Sequence, residues 1–537
     1  MSSTTASLAN TTPAGEAEVA VTPRSAFRIK KIHLWAILPL VIAWFAASID
    51  MIEPFDFWWN VKSGQIMMQT GQFLGTDVLV WSPVREPYSN PQWGSQLIFY
   101  WAYAFSPYVM LTLRVLIITA TVGLLLWLCT WRSKSLRIGS LVALVAYFTA
   151  WTNYGMRPQL FAFLPFVGFL FLLERKDYYP RWLPLLVPIM LFWVNVHGSF
   201  FLGVALLGIY GLGTILEKIR SAEGRKWLFS RAAGWQALWF VLAALASLAN
   251  PYTISIYNYF FVATNDPIAR ALNVEWQPPT IDSGTGQLFL LQVMVFLVSM
   301  YVSKRRLRLT EMLIILAFGY LALTSLRNVM WWGWVTAPII AANFAVWSAN
   351  RKARLAEEAA ATEAPEELPN TGTEPEQRPT PTKELYAVNF IMVAILVVGA
   401  FAFTPLWRAD NPLVPATAKP ALGDSTPIKL ADFLKSAPVP TPIFNYMEWG
   451  GYLEWELYPQ YQLFIDGRFE ARQVQVWRDY LSISRGQADW QQTLDSYHVR
   501  TLVLNKEFDE ALIPFVTQSP EWQKVYEDKQ GLVFEKR

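Results

Sequence analysis

Long apolar blocks separated by short polar ones set the pattern of this chain. Blocks such as 109–131 and 386–404 are almost uninterrupted by charge, and each is long enough to cross roughly 30 Å of hydrocarbon at about 1.5 Å per residue. Segments at about 34–50, 109–131, 138–153, 158–174, 182–197, 199–217, 234–250, 287–303, 309–324, 330–347 and 386–404 predict about eleven transmembrane helices. Residues 92–108 are also apolar. A crossing there would turn every later basic loop to the opposite side, so this segment is read as an interfacial or re-entrant helix flat against the outer surface. The Ser/Thr/Ala-rich residues 1–33 read as a disordered cytoplasmic tail, and no cleavage site for a signal peptide follows them. Residues 350–385, rich in Glu, Pro and Thr, read as a disordered cytoplasmic linker.

After residue 405 the pattern changes. Short runs at 441–446, 461–467, 500–505 and 531–536 predict strands, and 469–483 and 487–497 predict helices, which together make a small α/β domain. The expected fold is therefore a polytopic α-helical membrane protein: a membrane domain over 34–349 with an outer loop at 51–108, a last span at 386–404, and an external α/β domain at 405–537.

Composition agrees with the pattern. Hydrophobic residues make up 53% of the chain and charged ones 16%, below the quarter or so of a soluble protein, and mean hydropathy is +0.26. The 26 Trp and 22 Tyr suffice for aromatic belts at both interfaces. Charge sets the orientation. Loops 132–137, 174–181, 217–231 and 304–308 hold 15 Lys/Arg, against 3 in the alternate connections near 154–157, 198, 251–286 and 325–329. The N-terminus is thus expected in the cytoplasm and the C-terminal domain outside, as in a bacterial inner membrane. A net charge of +3 argues against nucleic acid as a partner, and Cys129 stands alone, so neither a disulfide framework nor a Cys-based metal site can form.

The residues with chemical potential lie on the expected outer side. Asp50, Glu53 and Asp56 open the first outer loop beside Trp58, Trp59, Asn60 and Lys62. A carboxylate in partly desolvated, aromatic surroundings makes a general base, because burial raises its pKa toward working pH. It could equally ligate a divalent cation, Mg or Mn, bridging a phosphate. A polar loop with interfacial Trp anchors is the plainer alternative. Arg157, His197 and Arg327 are sparse outer-side ionisable residues suited to a phosphate, with interfacial snorkelling as the alternative. Arg114, inside a span, is read as snorkelling outward. Asn195 precedes His197. In the C-terminal domain Glu448, Asp466 and Arg468 flank a Gly-Gly-Tyr-Leu run and an Asp-Gly-Arg turn, positions open to acceptor contact or to mere turn formation. The sequence contains no P-loop, no GxGxxG after a strand and no HExxH, so an activated donor arriving within the membrane is expected.

This arrangement resembles the GT-C superfamily of membrane glycosyltransferases, and in particular bacterial GT-C-like membrane proteins. The resemblance rests on Asp56-Phe-Trp58-Trp59-Asn60-Val-Lys62-Ser-Gly64, on Asn195-Val-His197-Gly198, and on the Gly-Gly-Tyr-Leu and Asp-Gly-Arg runs of the tail. It implies a polyprenyl-phosphate-linked sugar donor, a lipid, glycan or protein acceptor, and inverting transfer. Asp56, assisted by Glu53, would be the base or metal ligand, and Arg157, His197 and Arg327 would hold the donor phosphate. Trp58, Trp59, Asn60, Lys62, Asn195, Glu448, Asp466 and Arg468 would contact substrate. Asn60 stands where relatives carry His. Two other classes remain open: a lipid or glycan transporter, which predicts repeated halves that this chain lacks, and a non-catalytic assembly or scaffold protein.

Overall fold

A computed structural model describes residues 29–86, 88–222, 224–265, 267–362 and 385–537. Residues 1–28 of the tail expected at 1–33 and the linker residues 363–384 lie outside them, and the tail's last three residues already belong to the first helix. Helix α1 (Lys31–Ile49) leads into the first loop, which carries α2 (Phe57–Thr70) and α3 (Trp93–Phe105). Then follow α4 (Pro107–Ser133), α5 (Leu136–Thr149), α6 (Phe163–Glu174), α7 (Leu186–Val196), α8 (Phe200–Ile219) and α9 (Arg231–Ala246). After the short α10 (Ser255–Thr264) and α11 (Pro267–Leu272) come α12 (Gly284–Ser303), α13 (Leu309–Thr324), α14 (Val329–Thr362) and α15 (Tyr386–Ala402).

Every segment expected to span is helical. Among the described residues five helices are long and apolar enough to cross a membrane, and 136–149, 158–174, 180–196, 309–324 and 386–402 form shorter apolar ones. The ambiguous 92–108 segment divides at Ser106, which caps α4 by accepting the Tyr108 N–H at 3.2 Å, with Pro107 in the first turn. Helix α3 is thus a separate element lying on α2, α4 and α7. Helix α14 continues through 350–362, residues read from sequence as linker, as an exposed extension. Ala, Glu and Arg dominate that stretch, and their helix propensity outweighs the lack of anything to bury.

The basic loops meet at one end of the helical body. Arg132 and Arg308 pair with both Glu174 and Glu311, Arg305 joins Glu311, and the Tyr210 hydroxyl donates to Glu174 at 2.6 Å. Two buried carboxylates shared among three guanidiniums tie the loops after α4, α6 and α12 together. Arg114 does not snorkel. It is fully buried, reaching the Asp50 carboxylate at 3.1 Å and the Ala47 carbonyl at 2.7 Å, because the α1 terminus offers acceptors nearer than bulk water.

The C-terminal region adds α16 (Ile428–Ser436), α17 (Met447–Leu457), α18 (Val474–Ser484), α19 (Trp490–Ser496) and α20 (Ile513–Gln518), around a sheet of β1 (Ile443–Asn445), β2 (Thr501–Asn505), β3 (Trp522–Glu527) and β4 (Gly531–Lys536). The order is β1-β2-β4-β3, with β1 parallel to β2 and the other pairs antiparallel. Two departures from the sequence reading stand out. Strand β3 was not expected, since Lys and Gln interrupt its apolar alternation. The expected strand at 461–467 is not part of the sheet: the Asn445 side chain binds its backbone instead, accepting the Phe464 and Ile465 N–H groups at 2.9 and 3.2 Å and donating to the Ile465 carbonyl at 2.9 Å.

The first outer loop and this region form one body. Backbone bonds join Ile52 to Ala421 and Gly423, Trp81 to Leu463, and Arg85 to Ala471. Trp58 is fully buried edge-on to Tyr452 of α17, centroids 4.9 Å apart, and to Tyr103 of α3 at 5.4 Å. A single hydrophobic core consequently runs from the membrane helices through α2 into α16 and α17.

Candidate functional site

A cavity of about 710 Å³ opens at the end of the helical body away from the basic loops. Six separate stretches of chain line it: Asp56 and Trp59 from the first loop, Arg157, His197, the 259–278 connection, the α13–α14 turn with Arg327, and Gly467 to Glu470. Tyr320, Leu321 and Leu323 of α13 and Phe201 and Leu202 of α8 make one apolar wall, and Tyr320 and Leu323 are themselves exposed on the outer surface of the helical body.

Asp56 ends the turn before α2 in an αR conformation, and its side chain makes no capping bond. The carboxylate therefore remains free for the cavity. Arg157 Nε lies 3.4 Å from Asp56 Oδ2, and the other side of the same guanidinium pairs with Glu275. Burial raises the Asp56 pKa above its ordinary value and outweighs the opposing Arg157. Burial would lift Glu275 too, but Arg157 and then Arg327 hold it below its ordinary value. The result is two carboxylates of unlike basicity on one guanidinium. Gly467 completes the arrangement: a Cβ there would sit 2.8 Å from Asp56 Oδ1. The Asp-Gly-Arg run thus lets the C-terminal region close over Asp56, which turn propensity alone would not indicate.

Arg327 lies over the Trp276 ring at 4.6 Å, and among the described residues it has no carboxylate partner within ion-pair distance. His197 Nδ1 is 2.8 Å from the Ser199 hydroxyl. Arg468 covers the Trp59 ring at 5.0 Å and belongs to a buried network. Its Nε bonds Asp466 at 2.8 Å, it reaches Asp77 of the first loop at 3.1 Å, and Arg472 pairs with Asp77 as well. Burial and the adjacent Asp466 push Glu454 well above the carboxylate range, while Arg468 and Arg472 outweigh burial and hold Asp466 far below it.

Of the residues singled out from sequence, Asp56, Trp59, Arg157, His197, Arg327 and Arg468 share the cavity. The others stand elsewhere. Glu53 accepts from the Ser425 hydroxyl and its carbonyl takes the Trp58 Nε1–H. Asn60 bonds the Asp56 carbonyl at 2.6 Å and the Gln96 amide at 3.1 Å in a buried amide cluster. Lys62 is sequestered by Gln65 and the Tyr458 carbonyl, Asn195 by Trp93 and the Ala249 carbonyl, and Asp466 is enclosed in the network. Glu448 is exposed and accepts from Tyr446. Glu275, Trp276 and Glu470 were not assigned roles from sequence; the scarcity of carboxylates in 251–286 was the one available signal for Glu275.

The choice between base and metal ligand for Asp56 can be weighed on the donor set. Arg157 bridges Asp56 and Glu275, where a cation would need both, and among the described residues no three His, Cys, Asp or Glu side chains gather into a metal-holding group. This donor set does not fit a resident divalent cation.

The fold is shared with a solved archaeal oligosaccharyltransferase structure. Among solved structures the chain is similar to the Archaeoglobus fulgidus oligosaccharyltransferase in its apo form, with a TM-score of 0.51 and 12% identity over 88% of this chain and 70% of that one. It is also similar to the archaeal oligosaccharyltransferase AglB from Archaeoglobus fulgidus in complex with an inhibitory peptide and a dolichol-phosphate, with a TM-score of 0.47 and 11% identity over 94% and 74% of the two chains. At these identities the likeness is one of fold. No family model and no curated protein matches the sequence.

Proposed function

We propose that this protein is a membrane glycosyltransferase that moves a sugar from a polyprenyl-phosphate-linked donor to an acceptor hydroxyl on the outer face of the membrane. The observation that carries this reading is the composition of the cavity. An apolar wall reaching the outer surface of the helical body, Arg327 without a carboxylate partner, and Asp56 with its raised pKa all face one space. A lipid chain can lie along Tyr320 and Leu323 while its phosphate meets Arg327, His197 and the remaining N–H groups of Arg157.

In the transfer, Asp56 takes the proton of the acceptor hydroxyl as that oxygen bonds to the anomeric carbon from the side opposite the leaving group. The bond from that carbon to the phosphate oxygen breaks, its electron pair leaves with the phosphate, and the configuration inverts. Positive charge fixed beforehand at Arg327 and Arg157 stabilises the charge developing there. Glu275 acts by positioning Arg157, and one base with a phosphate leaving group requires no second acid.

Purified full-length protein offered a panel of polyprenyl-phosphate sugars with simple glycoside acceptors should transfer from at least one donor. Arg327→Ala should reduce kcat/KM about 10²-fold or more, the scale seen when one preorganised oxyanion donor is lost. Absence of transfer from every donor would favour the scaffold reading.

A further inference from the structure

Beside the main cavity lies a smaller chamber of about 240 Å³. It is walled by first-loop residues 85, 86 and 88–92 and by Tyr252, Ser255, Asn258 and Val262, and none of the long apolar helices contributes to it. Trp59, Pro91, Gln92, Tyr259, Arg468 and Glu470 line both spaces and so form the partition between them. Asp56, three residues before Trp59, faces only the larger space.

The two spaces differ in chemistry. The larger has the apolar wall and Arg327, which among the described residues has no carboxylate partner. The smaller combines flat rings (Trp59, Tyr88, Tyr252, Tyr259) with hydroxyl, amide and carboxylate groups (Ser89, Ser255, Asn258, Glu86, Glu470). Rings suit the C–H faces of a pyranose, while carboxylates and amides accept from its hydroxyls. Glu470 is the distinctive member. The Tyr259 hydroxyl donates to it at 2.9 Å, and among the described residues no Lys or Arg forms an ion pair with it. Its neighbour Arg468 is committed to Asp466 and Asp77. A partition carboxyl with acceptor capacity left over can hold a hydroxyl without giving up a salt bridge.

We propose that the smaller chamber is the acceptor site, that it takes a hexopyranoside, and that Glu470 with Tyr259 holds a sugar hydroxyl at the partition, within reach of Asp56. This rests on the glycosyl-transfer reading and adds the acceptor class to it. Glu470 binds the acceptor, and the proton still goes to Asp56. A lipid acceptor would lie along a run of aliphatic side chains, and here the apolar lining is mainly ring faces, with Pro91, Val262 and Ala471 the aliphatic members.

Saturation-transfer NMR on the purified full-length protein tests the proposal, with methyl β-D-glucopyranoside as sugar probe, Ala-Ser-Ala amide as peptide probe and farnesyl phosphate as donor-side probe. The glycoside should bind wild type in the millimolar range. Glu470→Gln should weaken it about tenfold, on the scale of one hydrogen bond to a charged group. Ser255→Trp, which fills only the smaller chamber, should abolish glycoside binding while farnesyl phosphate still binds. Undiminished glycoside binding by Ser255→Trp, no glycoside binding by wild type, or the peptide binding in its place would each overturn the assignment. Failure of farnesyl phosphate to bind wild type would instead count against the transfer reading, so the two failures are distinguishable.

Discussion

At the scale of single residues, Asp56 separates catalysis from stability. A base works only when ionised, and burial holds Asp56 above its ordinary value of 3.8. The transfer rate should therefore fall on the acid side through an apparent pKa higher than that of a free aspartate. Stability runs the other way: a carboxyl whose folded pKa is raised favours folding most below its unfolded pKa, and that contribution is lost as pH rises through the folded value. Asp56→Asn should thus lower kcat on the order of 10²–10⁴-fold and yet melt no lower than wild type at pH 7, with Arg157 keeping Glu275 as partner. A melting point well below wild type, with activity intact, would make Asp56 a structural residue. The first loop made Asp56 conspicuous in the sequence, as one of three acids beside two Trp. Its neighbours Glu53, Asn60 and Lys62 were equally conspicuous, yet other partners hold them: Ser425 bonds Glu53, Asn60 turns back to the Asp56 carbonyl and Gln96, and Lys62 reaches the Tyr458 carbonyl.

At the scale of elements, the close approach of α2, α17 and the 465–472 segment positions the carboxylate. A Cβ at Gly450 would lie 2.4 Å from the Ile465 carbonyl oxygen, so no larger residue fits without moving backbone. The Asp77–Arg472–Asp466–Arg468 network then fastens this segment to the first loop, and the side chains of Asp77, Arg472 and Asp466 are fully buried. Removing one partner strands a buried charge, so Asp77→Ala should cost about 3–5 kcal/mol in reversible unfolding in mixed micelles. Gly467→Ala should do the reverse of that variant: its Cβ meets the Asp56 carboxylate rather than backbone, so the transfer rate falls while unfolding changes little. Equal loss of stability in both variants would contradict this division of roles.

Across the whole molecule, the basic loops gather at one end and the cavity at the other. The bias of 15 Lys/Arg against 3 predicts that the cavity end and the 405–537 region face outward. A reporter fused after Arg537 should be active only outside the cytoplasmic membrane. A reporter active in the cytoplasm would invert the topology and the side on which transfer occurs.

The apolar blocks by themselves determined where the membrane helices lie, since length and hydropathy are local properties that no later contact alters. The charge bias gives an expected orientation on the same local grounds, which the reporter fusion tests. Candidate chemistry was legible only as a pool: Lys62, Asn195, Glu448 and Asp466 were read as substrate contacts beside Asp56, Arg157, His197 and Arg327, and Arg114 was read as snorkelling outward. Tertiary structure chose among them, sending Arg114 to Asp50, burying Lys62 behind Tyr458 and bringing Glu275 and Glu470 to the cavity from loops far apart in the chain. A span is specified by its own residues, whereas a site depends on which distant side chains share a desolvated space, and that is settled only when α2 docks against the C-terminal region.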